Sequence, residues 1–157
     1  MPGIAAIYEH AALTSAATFD LEGLPRDEWV RSLAEADPAK GHHFLVCVEG
    51  DMVLGFAKSG MHRSRPAYDT TCETSVYVAE GAQGKGVGGA LYDDLLGRLE
   101  ASPLRLAVGG MTEPNEASRR LHESRGFTVA GTFHGVGTKF GRSWDVTWFE
   151  RPLGGGG

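Results

Sequence analysis

The sequence predicts an α/β (α+β) protein in which helices and strands follow the order α-α-β-β-β-α-β-α-β-β. Two observations favour this class. Several segments place apolar residues at helical spacing, and short apolar segments, some of them alternating with polar residues, lie between turn-forming residues. A length of 157 residues fits a single domain, which we expect to span residues 1–153. The glycines at 154–157 are expected to form a disordered tail.

Two helices and a β-hairpin are predicted for the first third of the chain. Helical spacing begins at Ile4, and a second helix is expected between Pro25, near its first turn, and Pro38, which ends it. The next two apolar segments flank Gly50-Asp51, a pair that favours a tight turn. These segments therefore predict two neighbouring antiparallel strands.

The next strand is expected to present two different faces. Alternation over residues 70–80 places Cys72 and Val76 on one face, and Glu73 and Tyr77 on the other. A carboxylate in the middle of an otherwise uncharged strand is unusual, because charged groups are rarely buried without a partner. Glu73 is therefore a candidate for a functional residue.

The remaining elements complete the predicted order. A helix with an apolar stripe begins after Gly86, and a buried strand follows at 103–111. The next helix can be capped by Asn115, and residues 127–141 and 143–153 are expected to form an antiparallel pair of strands.

Composition and charge exclude several classes of protein. The net charge is −5 and the pI is about 5.6, which argues against a general nucleic-acid binder. No apolar run approaches the ~20 residues of a membrane span, and no signal sequence is recognisable. Cys47 and Cys72 have no CxxC spacing, and the histidines have no metal-ligand spacing. We therefore expect a cytoplasmic protein without a metal, nucleic-acid or membrane partner.

A glycine-rich segment before the third helix allows three interpretations. A Walker loop fails because Lys85 is followed by Gly86 rather than by Ser or Thr. The dinucleotide pattern GxGxxG is present at 84–89, but five residues separate it from Val78, and a hairpin replaces the second βαβ unit. The third interpretation is a loop of small residues from Gln83 onward, whose backbone amides wrap a pyrophosphate at the helix start. A turn that only caps the helix is the alternative without a ligand.

The third pattern, Gln83 to Gly88, resembles the pyrophosphate loop of the GNAT superfamily of N-acetyltransferases. Residues 63–100 resemble the corresponding segment of one subfamily, the phosphinothricin and methionine sulfoximine acetyltransferases. Three further segments resemble that subfamily in the same order: TSAATFD at 14–20, NEASRRLHESRGF at 115–127 and VGTKFGRSWDV at 136–146.

The resemblance implies a GNAT fold, with a mixed central β-sheet flanked by helices, and acetyl-CoA as co-substrate. It also implies a homodimer. Family members usually carry a strand before the first helix, whereas this chain begins inside that helix. Either the start is misassigned or the domain lacks an edge strand. The residues that the resemblance assigns to acetyl-CoA are Tyr77, Val78, Gln83, Gly84, Lys85, Gly86, Val87, Gly88, Gly89, Asn115 and Ser118.

The same resemblance implies two catalytic residues. Glu73 matches the glutamate that acts as general base through a water, and an ion pair with Arg63 or Arg65 is the structural alternative. His122 occupies the position from which the thiolate of CoA is protonated, since histidine can donate or accept near neutral pH. A helix histidine packed against the sheet is the alternative for His122.

Four residues are assigned to the acceptor on the same basis. Arg63, Arg65 and Tyr68 precede the Glu73 strand, and fixed cations there imply a substrate with an anionic end. Phe19 is expected to form an apolar wall of this pocket. The alternatives are a solvated basic loop for the arginines and a core position for Phe19. No role is carried over for Trp144, which stands one place later than the family tryptophan.

The predicted function is transfer of acetyl from acetyl-CoA to the α-amino group of a small amino-acid analogue of the phosphinothricin or methionine sulfoximine type. The family implies direct attack in a ternary complex. Two alternatives stay open: acetylation of another small amine or a peptide N-terminus, and a CoA-binding module without catalysis.

Overall fold

The computed structural model describes residues 2–154 and confirms the predicted order of elements. Short 3₁₀ turns lie between several of them. The helices and strands are α1 (Pro2–Thr14), α2 (Arg26–Ala34), β1 (Phe44–Glu49), β2 (Met52–Met61), β3 (Thr71–Val78), α3 (Val87–Glu100), β4 (Leu106–Thr112), α4 (Glu116–Ser124), β5 (Thr128–Lys139) and β6 (Arg142–Pro152).

One mixed sheet runs through the molecule, in the strand order β1-β2-β3-β4-β6-β5. Only β3 and β4 are parallel, and the other neighbours are antiparallel. The predicted hairpin around Gly50-Asp51 and the predicted C-terminal pair are both confirmed. In the described part of the chain, β1 is the first strand, so none precedes α1 there.

The two faces of the sheet are covered by different helices. On one face α3 buries Leu95 and Leu99 against Cys72, as the apolar stripe and the strand alternation predicted. On the other face α1 and α2 bury a separate cluster that includes Trp29 and Phe56. Phe56 and its neighbour Ala57 belong to opposite clusters, since successive strand residues face opposite sides.

β3 and β4 stay paired over only a short distance. Their parallel register joins Thr71–Glu73 to Leu106–Val108, whereas β3 stays paired with β2 through Val78. The second half of β3 therefore has β2 on one side and an opening on the other. This opening positions the candidate site.

Gly154, the last residue that the structure describes, lies against the last turn of α3. The N–H of Gly154 donates to Glu100 Oε2 at 2.9 Å. The other glycines of the predicted tail, 155–157, lie outside the described residues. None of the helices in residues 2–154 is long and apolar enough to cross a lipid bilayer.

Candidate active site

A cleft of about 1340 Å³ opens where β3 leaves β4. Its walls come from α1, the second half of β3, the glycine-rich turn, the end of β4 and the first turns of α4. Both residues predicted as catalytic and every residue predicted to bind acetyl-CoA line it: Glu73, Tyr77, Val78, Gln83, Gly84, Lys85, Gly86, Val87, Gly88, Gly89, Asn115, Ser118 and His122.

The glycine-rich turn forms one end of the cleft. Gly84 and Gly86 have φ values of 77° and 80°, a region that residues with a side chain rarely adopt. Gly86 is the N-cap of α3 and no side chain caps that helix, so the first N–H groups of α3 lack a side-chain acceptor at the cap. Backbone N–H groups and the positive end of the helix dipole therefore favour an anion here.

The open edge of β3 forms the middle of the cleft. The N–H of Ala79 donates to the carbonyl of Leu54 in β2 at 2.8 Å. Hydrogen bonding alternates along an antiparallel ladder, so the N–H of Tyr77 also faces β2, and that of Val78 faces the opening. Of Tyr77 and Val78, which were both assigned to acetyl-CoA, Val78 has the backbone N–H that is directed into the cleft. Tyr77 instead fixes the strand by packing its ring on Phe56.

Glu73 lies at the other end, where β3 and β4 separate. Its carboxylate is about one-third exposed and lies 2.8 Å from His62 Nδ1 and 3.6 Å from Arg63 Nη1. The ion pair with Arg63 that was the structural alternative is therefore present. His62 was not predicted as a partner, because it lies on β2's extension and only the strand register brings it near Glu73.

His122 is buried on α4 and forms a chain of hydrogen bonds. Its Nδ1 donates to the carbonyl of Ser118 at 2.8 Å, and its Nε2 accepts from the hydroxyl of Tyr92 at 3.1 Å. Tyr92 is in turn 2.6 Å from the hydroxyl of Thr74 on β3. Burial lowers the pKa of His122, which favours the neutral ring. In that form both ring nitrogens are occupied by protein partners.

Asn115 caps α4 as predicted. Its Oδ1 accepts from the N–H of Ser118 at 3.0 Å, the geometry typical of an N-cap. Asn115 and Ser118 both line the cleft, so the start of α4 forms part of the wall opposite α1.

None of the four residues predicted for the acceptor is among the cleft-lining residues, and two of them, Arg63 and Tyr68, lie near the Glu73 end. Arg63 contacts Glu73, and the ring of Tyr68 meets His62 edge to face at 5.8 Å. Arg65 is exposed before a 3₁₀ turn. Phe19 is 39% exposed and packs on Gly137, where any larger side chain would overlap its ring.

A buried lysine holds the Phe19 loop in place. Lys139 Nζ donates to the carbonyls of Thr18 and Asp20 at 2.8 and 2.7 Å. Tyr8 of α1 donates to the carboxylate of Asp20. These contacts join α1, the loop and the β5–β6 hairpin. Lys139 lies within the segment 136–146 that resembles the family, but no local sequence pattern indicates its carbonyl partners.

Cys72 and Trp144 are held by packing and hydrogen bonding within the fold. Cys72 is fully buried on the α3 face, and burial raises the pKa of its thiol to about 12, which keeps it protonated. Cys72 therefore faces away from Glu73, as the alternation predicted. Trp144 Nε1 donates to the carbonyl of Lys139 at 2.8 Å, and the Arg142 guanidinium lies 3.9 Å from the centre of its ring.

An anion-binding helix start, an open strand edge and a carboxylate in one cleft define a site for a phosphate-bearing cofactor and a second small reactant. The sequence matches the model of the acetyltransferase (GNAT) family over residues 5–127, and the chain belongs to this family. The predicted family and the predicted fold are thus confirmed.

Characterised relatives cover most of the chain. A phosphinothricin N-acetyltransferase of Streptomyces coelicolor is 44% identical over 94% of this chain and 87% of its own. An L-methionine sulfoximine/L-methionine sulfone acetyltransferase of Salmonella typhimurium is 37% identical over 96% of this chain and 87% of its own. An acetyltransferase of Salmonella typhimurium, solved with its cofactor acetyl-CoA, superposes with a TM-score of 0.89 at 37% identity, covering 95% of this chain and 86% of that one.

Proposed function

We propose that this protein transfers the acetyl group of acetyl-CoA to the α-amino group of a small amino-acid analogue. One observation carries the proposal: the glycine-rich turn, the open edge of β3 and Glu73 line the same cleft. The turn suits a pyrophosphate, the strand edge suits a thioester carbonyl, and the carboxylate suits an ammonium group.

The donor half of the cleft would hold acetyl-CoA. The pyrophosphate would lie at the start of α3, between Gln83 and Gly89, and the thioester would lie beside the free N–H of Val78. The Salmonella structure that contains acetyl-CoA supports this assignment, because the two folds superpose over nearly the whole chain.

In the acceptor half, Glu73 would take a proton from the ammonium group, directly or through a water. The neutral amine would attack the thioester carbon, and the N–H of Val78 would stabilise the oxyanion that forms. The C–S bond would then break and leave the thiolate of CoA. No covalent step on the protein is needed, and the buried thiol of Cys72 faces the other side of β3.

We also propose that His122 supplies the proton to the thiolate through Tyr92. The imidazolium would give its Nε2 proton to the tyrosine oxygen while the hydroxyl proton passes to sulfur. A lowered pKa makes the imidazolium a stronger acid but reduces its population at neutral pH. This step would therefore contribute most on the acidic side of neutrality.

The acceptor would carry an anionic group beside its amine. Arg63 lies at the Glu73 end of the cleft, and Arg65 and Tyr68 lie on the same connection between β2 and β3. The relatives that act on phosphinothricin and methionine sulfoximine support this class, because both substrates are amino acids with a polar or anionic end.

A panel of amines with a thiol readout tests the proposal. We expect release of CoA thiol with phosphinothricin and methionine sulfoximine, and at least tenfold smaller kcat/KM with a polyamine or an alanine-initiated peptide, which lack the matching anionic group. Preference for the peptide or the polyamine would contradict the substrate assignment. Binding of acetyl-CoA without thiol release from any amine would indicate a CoA-binding module instead.

We further infer a homodimer and a cytoplasmic location. β5 is an edge strand, and it exposes Val129, Phe133 and Val136, an apolar set typical of a surface that another subunit covers. Both cysteines are free thiols, which is typical of a reducing compartment.

A further inference from the structure

His62 lies beside Glu73 because of the register between β2 and β3. Gly60 is directly opposite Glu73, and His62 is two residues further on the same face, a diagonal neighbour. A Cβ atom at Gly60 would meet no atom within 4 Å, so the space above this glycine is open. Their atoms Oε1 and Nδ1 are 2.8 Å apart, a hydrogen-bond distance.

Two aromatic rings surround the imidazole. Tyr68 meets it edge to face at 5.8 Å, and Trp148 does so at 6.5 Å. Trp148 lines the cleft together with Glu73, so the pair lies against the wall of the acceptor half. The side chain of His62 is only 20% exposed, which means that its ring is held in this orientation by packing.

The charged and titratable groups around His62 come from three elements. β3 contributes Glu73, the following residue Arg63 lies 3.6 Å from the same carboxylate oxygen, and the 3₁₀ turn contributes the Tyr68 phenol. Trp148 of β6 adds no charge. Arg63 and the imidazole therefore both approach the same carboxylate oxygen, Oε1, which leaves Oε2 as the oxygen without an ion-pair partner among the described residues.

We propose that His62 is the positioning residue of the base: its Nδ1–H donates to Oε1 of Glu73 and holds the carboxylate toward the amine. The ammonium N–H bond breaks and its proton binds the other oxygen, Oε2, so that the charge of the carboxyl group changes from −1 to 0. The amine keeps the electron pair with which it attacks the thioester. This inference rests on the proposed acetyl transfer.

Kinetics of three variants test the pair. His62→Phe keeps a ring between Tyr68 and Trp148 but removes the donor, and we expect kcat to fall about tenfold or more, within the range of general-base effects. Acetyl-CoA Kd should stay within about twofold. His62→Asn keeps a side-chain N–H that can hold the carboxylate, so kcat and KM for the amine should both stay near their wild-type values. His42→Phe, with no side-chain contact to the cleft, is the control.

Rescue by the conservative variant distinguishes a positioning hydrogen bond from simple packing. His62→Asn, which keeps a side-chain N–H, should retain most of the wild-type kcat, whereas His62→Phe, which keeps only the ring, should not. Equal losses of kcat in the two variants would overturn the inference, because the N–H would then have no effect of its own. Unchanged kinetics in His62→Phe would also overturn it.

A measurement without turnover separates this inference from the proposed function. Correlations between the ring protons and ring nitrogens of His62 by NMR should show a hydrogen-bonded Nδ1–H in wild type that weakens in Glu73→Gln. Identical ring signals in the two proteins would overturn the pair even if acetyl transfer is observed. Conversely, the failure of wild type to acetylate any amine would contradict the proposed function while leaving the pair measurable.

Discussion

At the scale of single residues, burial decides which form of His122 exists. The ring is stacked on Phe149 with centroids 4.9 Å apart, and its two nitrogens bond Ser118 and Tyr92. The folded state therefore favours the neutral ring, and its pKa lies below the ordinary value of about 6.5. The consequence is a dependence of stability on pH that the same histidine on a surface would not produce.

The lowered pKa of His122 predicts that the protein becomes less stable in acid. Because the folded pKa of His122 is lowered, its contribution is fully present above about pH 6.5 and is lost as pH falls through the folded pKa. We expect the free energy of unfolding to fall between pH 7 and lower pH in wild type, and to fall less in His122→Gln. At pH 7.5 the same substitution should cost about 1–3 kcal/mol, since buried partners lose a hydrogen bond.

Urea unfolding at several pH values checks this prediction. His134→Gln is the matched control, because His134 is exposed and its substitution should leave the wild-type pH dependence intact. His43, whose pKa burial also lowers, is retained in both variants and leaves part of the dependence in place. An equal pH dependence in wild type and His122→Gln would contradict the account of His122.

Local sequence patterns predict which way a side chain faces, but not its contacts with residues distant in the chain. Alternation placed Glu73 and Cys72 on opposite faces correctly, since the period of a strand is a local property. The contact between Glu73 and His62 depends on the register of two strands, and the contacts of Lys139 span about 120 positions of the chain. Neither is encoded by local spacing, so neither could be predicted.

At the scale of elements, the order of helices and strands could be predicted because each one shows the hydrophobic periodicity of its own type. The apolar stripe of α3, the hairpin at Gly50-Asp51 and the cap at Asn115 are local features, and the structure shows all three. The position of β6 between β4 and β5 is not local, because the last strand returns to the interior of the sheet. That insertion brings Trp148 into the cleft wall.

The β5–β6 hairpin carries the prediction that belongs to this scale. β5 is exposed along most of its length, and Phe133 is 60% exposed. If a second copy covers this strand, Phe133→Lys should convert a dimer to a monomer, because a buried interface does not accommodate an unpaired charge. Sedimentation velocity of both proteins measures the change.

The opposite edge of the sheet supplies the control for that experiment. Val48 on β1 is 59% exposed, and Val48→Lys should leave the sedimentation coefficient unchanged. A monomeric wild type at every concentration, or dissociation by Val48→Lys instead, would contradict the proposed dimer surface.

At the scale of the whole molecule, the two faces of the sheet have different roles: one contains the larger core, and the other supports the strand edge beside the cleft. The α3 face contains the larger core, in which Leu91 and Leu95 pack with Cys72 of β3. On the α1–α2 face, Tyr8 packs between Trp29 and Tyr77, next to the strand edge that opens the cleft. Backbone groups and the carboxylate of one strand thus reach the cleft from a scaffold that is packed on both sides.

If β3 binds both reactants, acetyl passes directly to the amine without a covalent intermediate on the protein. To measure this, radiolabelled acetyl-CoA is mixed with wild type and with Glu73→Gln, first without and then with methionine sulfoximine, and protein-bound label, free thiol and N-acetyl product are counted. We expect no label on the protein, and one N-acetyl product for each thiol.

In that experiment Glu73→Gln should bind acetyl-CoA with a Kd within about twofold of wild type, because the glycine-rich turn is unchanged. It should transfer acetyl about a hundredfold more slowly, because the general base is lost. Label that stays on the protein, or thiol without N-acetyl product, would contradict direct transfer to the amine. Transfer by Glu73→Gln at the wild-type rate would contradict Glu73 as the base.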